Sequence, residues 1–191
     1  MVKKEIRILG IDDSPFSKED KECLIVGTVF RGGNFLDGLL SCKVKVDGSD
    51  STPKLIKLIN KTKHKDQLKV IMTDGIAVGG FNIIDIQSLW KKTKLPVIVI
   101  MRYFPNLVNI EKALKRFDDF EARWNLIKKA GKIHEVKIKG VEIYFQVAGI
   151  SPEEAKKVIM LSSTRSLQPE PLRVAHLIAS GIIKGESRGR A

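Results

Sequence analysis

The chain has 191 residues, of which 43% are hydrophobic and 29% are charged. These values are typical of a soluble globular protein and predict one domain over residues 1–191, with a short basic tail over about 185–191. No apolar run approaches the ~20 residues that a membrane-spanning helix needs, and no cleavable signal peptide is visible at the amino terminus. We therefore expect a cytoplasmic protein with no membrane partner.

The charge of the chain is strongly unbalanced. Lysine and arginine number 34 against 22 aspartate and glutamate, which gives a formal net charge of +12. A surplus of this size favours binding to a polyanion, because basic side chains displace condensed counterions from a phosphate backbone. Lysine-rich surfaces also occur in thermostable proteins, but there acidic residues normally balance them. DNA is the partner that we expect.

The first part of the chain predicts three antiparallel strands. Residues 6–11 form a short apolar run that ends in two aspartates and a serine-proline breaker pair. Residues 23–30 are rich in β-branched side chains, and residues 40–46 alternate strictly between apolar and polar. Short turns separate the three runs, which is typical of a meander.

From residue 47 the pattern changes to helices that alternate with strands. Thr52 and Pro53 predict the start of a helix. Apolar runs then predict strands over residues 68–72 and 96–101, with helical spacing between them over residues 83–90. Such alternation indicates a parallel part of the sheet with buried central strands.

The last part of the chain predicts helices and one hairpin. Helical spacing covers residues 106–130, and residues 134–146 form a hairpin that turns at Lys139-Gly140. Ser151 begins a further helix, and the last helix runs from Pro169 to about residue 183. The fold class is therefore α/β, a mixed sheet with a β-β-β-α-β-α-β core, an added hairpin and C-terminal helices.

Two aspartates stand at strand ends, Asp12 and Asp74. If the first and fourth strands are parallel neighbours, both carboxylates emerge at the carboxyl edge of the sheet, where open α/β sheets bind ligands. Two close carboxylates repel each other unless a cation lies between them, and carboxylates without histidine or cysteine favour Mg²⁺ or Mn²⁺. Asp13 points to the face opposite Asp12, because successive strand residues alternate. An ordinary Asp-Ser-Pro turn is the alternative for this stretch.

Other residues near the strand ends are candidates for the same site. A third metal ligand can come from Asp47 or Asp50, although Asp47 also fits an Asp-Gly turn and Asp50 a helix N-terminus. Arg102 can contact a phosphate, or it can be a solvated strand-end arginine. Glycines that allow close approach of a phosphate, or that only form a flexible connection, are Gly75, Gly79 and Gly80. Such a cluster on a basic protein predicts metal-dependent phosphodiester hydrolysis.

Five strings in the same order resemble motifs of endonuclease V. They are LGIDDSPF, TDGIAVGGF, KLPVIVIMR, GISPEEA and LQPEPLRVAH. Over nearly its whole length the chain resembles the archaeal endonuclease dU family, which is related to endonuclease V. The resemblance implies an RNase H-like fold and a metal-dependent endonuclease that cuts DNA at a deaminated base, deoxyuridine above all.

The resemblance also implies roles for individual residues. Asp12 and Asp74 match the catalytic metal ligands, and Asp50 lies nearest to the third acidic ligand. Arg102 stands where the family has a strand-end lysine, and His176 follows the PEPLRVA string, from which it can approach the site. The family register favours Asp12 over Asp13 as the ligand, so we place Asp13 among the substrate-binding residues.

The chain also departs from endonuclease V in its sequence. It has no proline-tyrosine-x-proline wedge, no histidine after the second aspartate motif and no glycine-histidine pair before the helix that starts at Ser151. These departures favour an alternative function, a non-catalytic nucleic-acid-binding protein on the same fold. The sequence leaves open whether the protein forms a homodimer.

Overall fold

The computed structural model describes residues 3–17 and 19–187. Most of the predicted basic tail therefore falls outside the described residues. The elements in chain order are β1 (Arg7–Asp13), β2 (Glu22–Arg31), β3 (Phe35–Lys45), α1 (Ser51–Lys61), β4 (Val70–Asp74), β5 (Ala77–Val78), β6 (Asn82–Ile83), α2 (Ile86–Thr93), β7 (Val97–Met101), α3 (Leu107–Leu114), α4 (Phe120–Lys129), β8 (His134–Ile138), β9 (Val141–Ala148), α5 (Pro152–Ser162) and α6 (Glu170–Lys184).

Seven strands form one mixed sheet in the order β3-β2-β1-β4-β7-β9-β8. The central strands β1, β4 and β7 are parallel to one another, whereas β2 and β3 on one side and β9 and β8 on the other pair antiparallel. Two-residue strands β5 and β6 form a separate ribbon. The predicted mixed sheet, with its β-β-β-α-β-α-β core and its added hairpin, is confirmed.

Alternation along the central strands divides the core between the two faces of the sheet. On β1, Leu9 and Ile11 pack with side chains of α1 and α2. Ile8 lies on the opposite face with Met72 of β4 and packs against α5 and α6. Even-numbered residues of β1 and β4 therefore face α5 and α6. This alternation decides where the strand-end aspartates point.

The predicted hairpin and helix starts in the C-terminal half are confirmed. Lys139 and Gly140 both have positive φ, +50° and +83°, as the two central residues of a type I′ turn require. Ser151 caps α5, because its hydroxyl oxygen accepts a hydrogen bond from the Glu154 backbone N–H at 3.2 Å. Within the described ranges, no helix has the length and apolar character needed to cross a membrane.

One predicted helix range is wrong. The helix predicted over residues 83–90 begins at Ile86, because Ile83 belongs to β6 and pairs with Ala77. The helical spacing predicted over residues 106–130 is confirmed and falls in two helices, α3 and α4, with a break over residues 115–119. In α4, the buried Arg123 donates hydrogen bonds to the carbonyl oxygens of Phe81 and Asp47.

Candidate active site

Asp12 and Asp74 stand next to each other at the carboxyl edge of the parallel strands. β1 and β4 pair in parallel from Ile8 opposite Val70 to Ile11 opposite Thr73, and each aspartate follows directly on the last pair. Both are even-numbered residues on strands whose even-numbered side chains face α5 and α6. The predicted parallel adjacency of the two strands is confirmed, and it places both carboxylates on the same face.

Asp12 is almost completely buried, with 4% of its surface exposed. Its Oδ2 lies 3.0 Å from Nδ1 of His176 on α6, and its Oδ1 accepts a hydrogen bond from the Asp13 backbone N–H at 2.8 Å. Burial raises the pKa of Asp12 to about 7, and the charges of Asp74 and Asp13 add to the rise. The hydrogen bond to Asp12 raises the pKa of His176 in turn.

Asp74 is held by a residue of the segment before α6. Oδ2 of Asp74 accepts a hydrogen bond of 2.7 Å from Nε2 of Gln168. Burial raises the pKa of Asp74, although the Gln168 hydrogen bond and the charges of His176 and Arg102 oppose the rise. Asp12 and Asp74 are thus two carboxylates whose charged forms are disfavoured by burial.

A cavity of about 230 Å³ opens beside Asp74. Apolar side chains from β7, β9 and the loop before α6 form part of its wall, and the polar part comes from Asp74, Arg102, Gln168 and His176. The lining residues are Asp74, Ile100, Arg102, Ile143, Leu167, Gln168 and His176. The structure therefore brings four residues with polar side chains to one concave site, three of them predicted from the sequence.

Gln168 is the functional candidate that the sequence did not indicate. The residue is 8% exposed, and within the described part of the chain its Oε1 is a buried acceptor without a hydrogen-bond partner. An unsatisfied buried acceptor beside a carboxylate is costly and calls for an explanation. The only sequence signal was its place directly before the Pro-Glu-Pro string, and that place does not reveal the contact with β4.

Asp13 faces the other side of the sheet. Its Oδ2 accepts a hydrogen bond of 2.6 Å from the Gly79 backbone N–H. Burial raises the pKa of Asp13, while this hydrogen bond opposes the rise. Asp13 thus ties the end of β1 to the glycine turn between β5 and β6. Its assignment to substrate binding stays a prediction.

Asp47 and Asp50 also lie on the far side from α6, each with its own partners. Oδ1 of Asp47 accepts a hydrogen bond of 2.8 Å from the Phe81 backbone N–H. Asp50 precedes α1 and forms an ion pair with Lys54 at 2.8 Å and a hydrogen bond with Asn82 at 2.7 Å. These contacts fasten loops together. No contact among them reaches Asp12 or Asp74, and the predicted third metal ligand stays a prediction.

The three predicted glycines all have positive φ, +78° for Gly75, +55° for Gly79 and +84° for Gly80. At Gly80 a side chain is also excluded by space, because a Cβ would lie 2.3 Å from Oδ1 of Asp47. At Gly75 the nearest atom to such a Cβ is 3.9 Å away, so this turn is open. Of the three, Gly75 is therefore the one that a ligand can approach.

Comparison with known proteins identifies the family of this chain. The model of the family described as "Endonuclease dU" matches residues 4–183. This chain belongs to the endonuclease dU family. A relative from Methanothermobacter thermautotrophicus, named "UPF0215 protein", is 52% identical over 192 residues and covers 100% of this chain and 94% of its own. Membership of the family places the chain among the endonucleases.

Solved structures confirm the RNase H-like fold of endonuclease V. A protein of unknown function from Archaeoglobus fulgidus aligns with a TM-score of 0.86 at 40% identity, over 94% of this chain and 99% of its own. The catalytic domain of human endonuclease V aligns with a TM-score of 0.62 at 16% identity, over 94% and 83%. Endonuclease V of Ciona intestinalis, in complex with an inosine-containing 24-mer DNA, aligns with a TM-score of 0.57 at 15% identity, over 89% and 82%.

Proposed function

We propose that this endonuclease dU family member is a metal-dependent enzyme that cuts DNA at or near a deaminated base, with deoxyuridine as the substrate. The observation that carries the proposal is the pair formed by the buried Asp12 and the partly buried Asp74, side by side at the carboxyl edge of two parallel strands. Basic side chains outnumber acidic ones by 34 to 22, which supports a DNA substrate. The proposed place of action is the cytoplasm, and a homodimer stays a prediction.

The residues at the site fit a hard divalent cation. Among residues 3–17 and 19–187, no group of three or more His, Cys, Asp and Glu side chains is arranged to hold a metal ion. Mg²⁺ does not need such a group, because it is commonly bound through one or two carboxylates together with substrate phosphates and water. Asp12 and Asp74 supply the two carboxylates. The unpartnered Oε1 of Gln168 is a further oxygen donor beside them.

Each polar residue at the site would have a separate role. Asp12 and Asp74 would hold the cation, which when bound supplies electrostatic stabilisation and activates water. His176 would orient the Asp12 carboxylate by donating its Nδ1–H to Oδ2, and Gln168 would orient Asp74. Arg102, exposed at the end of β7 and lining the cavity, would hold a phosphate of the bound strand.

The cavity supports recognition of a single base. Its volume of about 230 Å³ lies below the ~300 Å³ at which pockets for drug-sized ligands begin, so it suits one base better than a whole nucleotide. Apolar walls from Ile100 and Ile143 can stack or pack against such a base. Because a base in a duplex is inaccessible, the substrate base would have to be flipped out of the helix.

The proposal is tested by cleavage of end-labelled oligonucleotides that contain deoxyuridine, deoxyinosine or neither. Each is incubated with the purified protein in Mg²⁺, in Mn²⁺ or in chelator. We expect cutting of the deoxyuridine strand only, and only with a metal ion. Cutting of the deoxyinosine strand alone would contradict deoxyuridine as the substrate but would still support a nuclease. A folded protein that binds every strand and cuts none would favour the alternative, a non-catalytic nucleic-acid-binding protein.

A further inference from the structure

The loop after β7 exposes large apolar side chains at the carboxyl edge of the parallel strands. Tyr103 is 76% exposed and Phe104 is 60% exposed. At the start of α3, Leu107 and Val108 are 41% and 75% exposed. We call residues 102–108 the aromatic loop. It begins with Arg102, which lines the cavity next to Asp74.

The aromatic loop is anchored to the sheet at one point. The ring of Phe104 meets the ring of Tyr144 edge-on, with centroids 5.4 Å apart and an interplanar angle of 85°. Tyr144 lies on β9 opposite Met101, the last residue of β7. Met101 packs on the face of the sheet that α1 and α2 cover, so Tyr144 and Phe104 lie on the face opposite Asp12 and Asp74, at the same carboxyl edge. In the described ranges no other ring packs on Tyr103, whose faces are open to solvent.

Charge and position indicate what covers these rings. Proteins that bind single-stranded nucleic acid combine a basic surface with exposed aromatic rings on which bases stack. This chain carries a net charge of +12, and Tyr103 directly follows Arg102, which lines the cavity together with Asp74. A second copy of the chain is a poorer occupant, because two copies that each carry this charge repel each other.

We propose that Tyr103 and Phe104 form a stacking platform for unpaired bases of a DNA strand that crosses the carboxyl edge of the sheet to reach the Asp12–Asp74 site. Bases within a duplex have both faces covered by their neighbours, so the platform selects single-stranded or distorted DNA. The proposal rests on the proposed nuclease function for the identity of the polymer. The aromatic loop would hold bases of the same strand whose phosphodiester is cut at the Asp12–Asp74 site.

The experiment measures binding without cutting. The protein is titrated in chelator against a labelled single strand and against a fully paired duplex of the same sequence. For Tyr103→Ala we expect the Kd for the single strand to rise about 5- to 150-fold, which corresponds to the 1–3 kcal/mol measured per stacked base. The Kd for the duplex should change less than about twofold. Tyr103→Trp should retain single-strand affinity, and its fluorescence should be quenched on binding.

The matched control is Met160→Ala, which removes an apolar side chain of 58% exposure from α5. It should leave both Kd values unchanged. An unchanged single-strand Kd for Tyr103→Ala, or an equal loss on both DNAs, would overturn the proposal. If Tyr103→Ala loses self-association in sedimentation while its DNA binding is unaltered, the proposal is also overturned, because the rings would then join two copies of the chain.

The outcomes for the platform and for the nuclease are separable. If the parent protein shows ring-dependent single-strand binding but cuts no oligonucleotide with any metal ion, the nuclease function fails and the platform stands. If the parent cuts at deoxyuridine while Tyr103→Ala binds single strands normally, the platform alone fails.

Discussion

Asp12 is a buried carboxyl group in a protein region that also holds Asp13 and Asp74. Its pKa is raised from 3.8 to about 7 by burial, and the pKa values of Asp13 and Asp74 are raised in the same direction. The pKa of His176 is raised as well, through its hydrogen bond to Asp12. In the absence of a cation, the folded state therefore binds more protons than the unfolded state.

These shifts predict that the metal-free protein loses stability as the pH rises. The contribution of Asp12 is fully present below pH 3.8 and is lost by about pH 7, with a slope of up to ~1.4 kcal/mol per pH unit. His176 acts with the same sign, because stability from a raised histidine pKa is also lost on the alkaline side. Thermal melts in chelator from pH 5 to pH 8 measure this decline.

Asp12→Asn should flatten that profile and raise the Tm at pH 8, because it removes a buried charge. The control is Asp66→Asn, an exposed aspartate in the turn before β4, which should leave the profile unchanged. A parent Tm that rises steadily from pH 5 to pH 8 would contradict the assigned pKa shifts.

Gln168 contacts the second carboxylate of the site, Asp74. Gln168→Leu keeps the approximate size of the side chain but removes both the hydrogen bond to Asp74 and the unpartnered oxygen. We expect about a tenfold or greater loss of Mn²⁺ affinity, in line with the 10- to 100-fold effects of residues that orient metal ligands. Electron paramagnetic resonance of free Mn²⁺ measures the affinity directly.

The control for Gln168 is Gln67→Leu in the exposed turn before β4, which should bind Mn²⁺ as the parent does. Unaltered Mn²⁺ binding by Gln168→Leu would remove Gln168 from the site. The same Mn²⁺ titration with Asp50→Asn tests whether Asp50 is the predicted third ligand. If the contacts of Asp50 with Lys54 and Asn82 are its whole role, this variant should bind Mn²⁺ as the parent does.

At the scale of elements, the site depends on how closely α6 approaches the sheet. A Cβ at Gly10 of β1 would lie 2.4 Å from the carbonyl carbon of Pro171. The Thr28 hydroxyl of β2 donates a hydrogen bond of 2.6 Å to the Pro171 carbonyl oxygen from the neighbouring strand. These two contacts fix the start of α6, and with it the position of His176 one and a half turns later.

Gly10→Ala should therefore push α6 away from the sheet. We expect a loss of about 1–3 kcal/mol in the free energy of unfolding, as for other overpacked cores, together with reduced DNA cutting. Gly181→Ala on the same helix is the matched control. A Cβ there meets nothing within 4 Å, so stability should be unchanged or higher by up to ~1 kcal/mol. Denaturant unfolding gives both values, and a fully stable Gly10→Ala would contradict the close contact.

Local patterns predicted most of the elements, because alternation, caps and turn residues act over a few positions. The Lys139-Gly140 turn and the Ser151 cap are examples. The position of Asp74 at the end of a strand was predictable from the same kind of local pattern. The contact of Gln168 with Asp74 was not, since the two residues are 94 positions apart and only the packing of α6 brings them together. The position of α4 was likewise not predictable, because Arg123 holds it through the carbonyl groups of Phe81 and Asp47, which are distant in sequence.

At the scale of the whole molecule, binding and cutting of DNA depend on different parts of the protein. The net charge of +12 supplies sequence-independent affinity that weakens with salt. The two carboxylates contribute nothing favourable to that affinity, because they repel phosphates. Loss of one carboxylate should therefore abolish cutting and preserve binding.

The role of Asp74 in cutting is tested by comparing the parent protein with Asp74→Asn on one deoxyuridine-containing oligonucleotide. Cutting is followed in Mg²⁺ or Mn²⁺, and binding is followed at the same salt concentration in chelator, with Asp66→Asn as the control. We predict that the parent and Asp66→Asn cut the strand only when a metal ion is present, whereas Asp74→Asn binds it equally well and does not cut. An Asp74→Asn protein that cuts at the parent rate would contradict the assignment of this site.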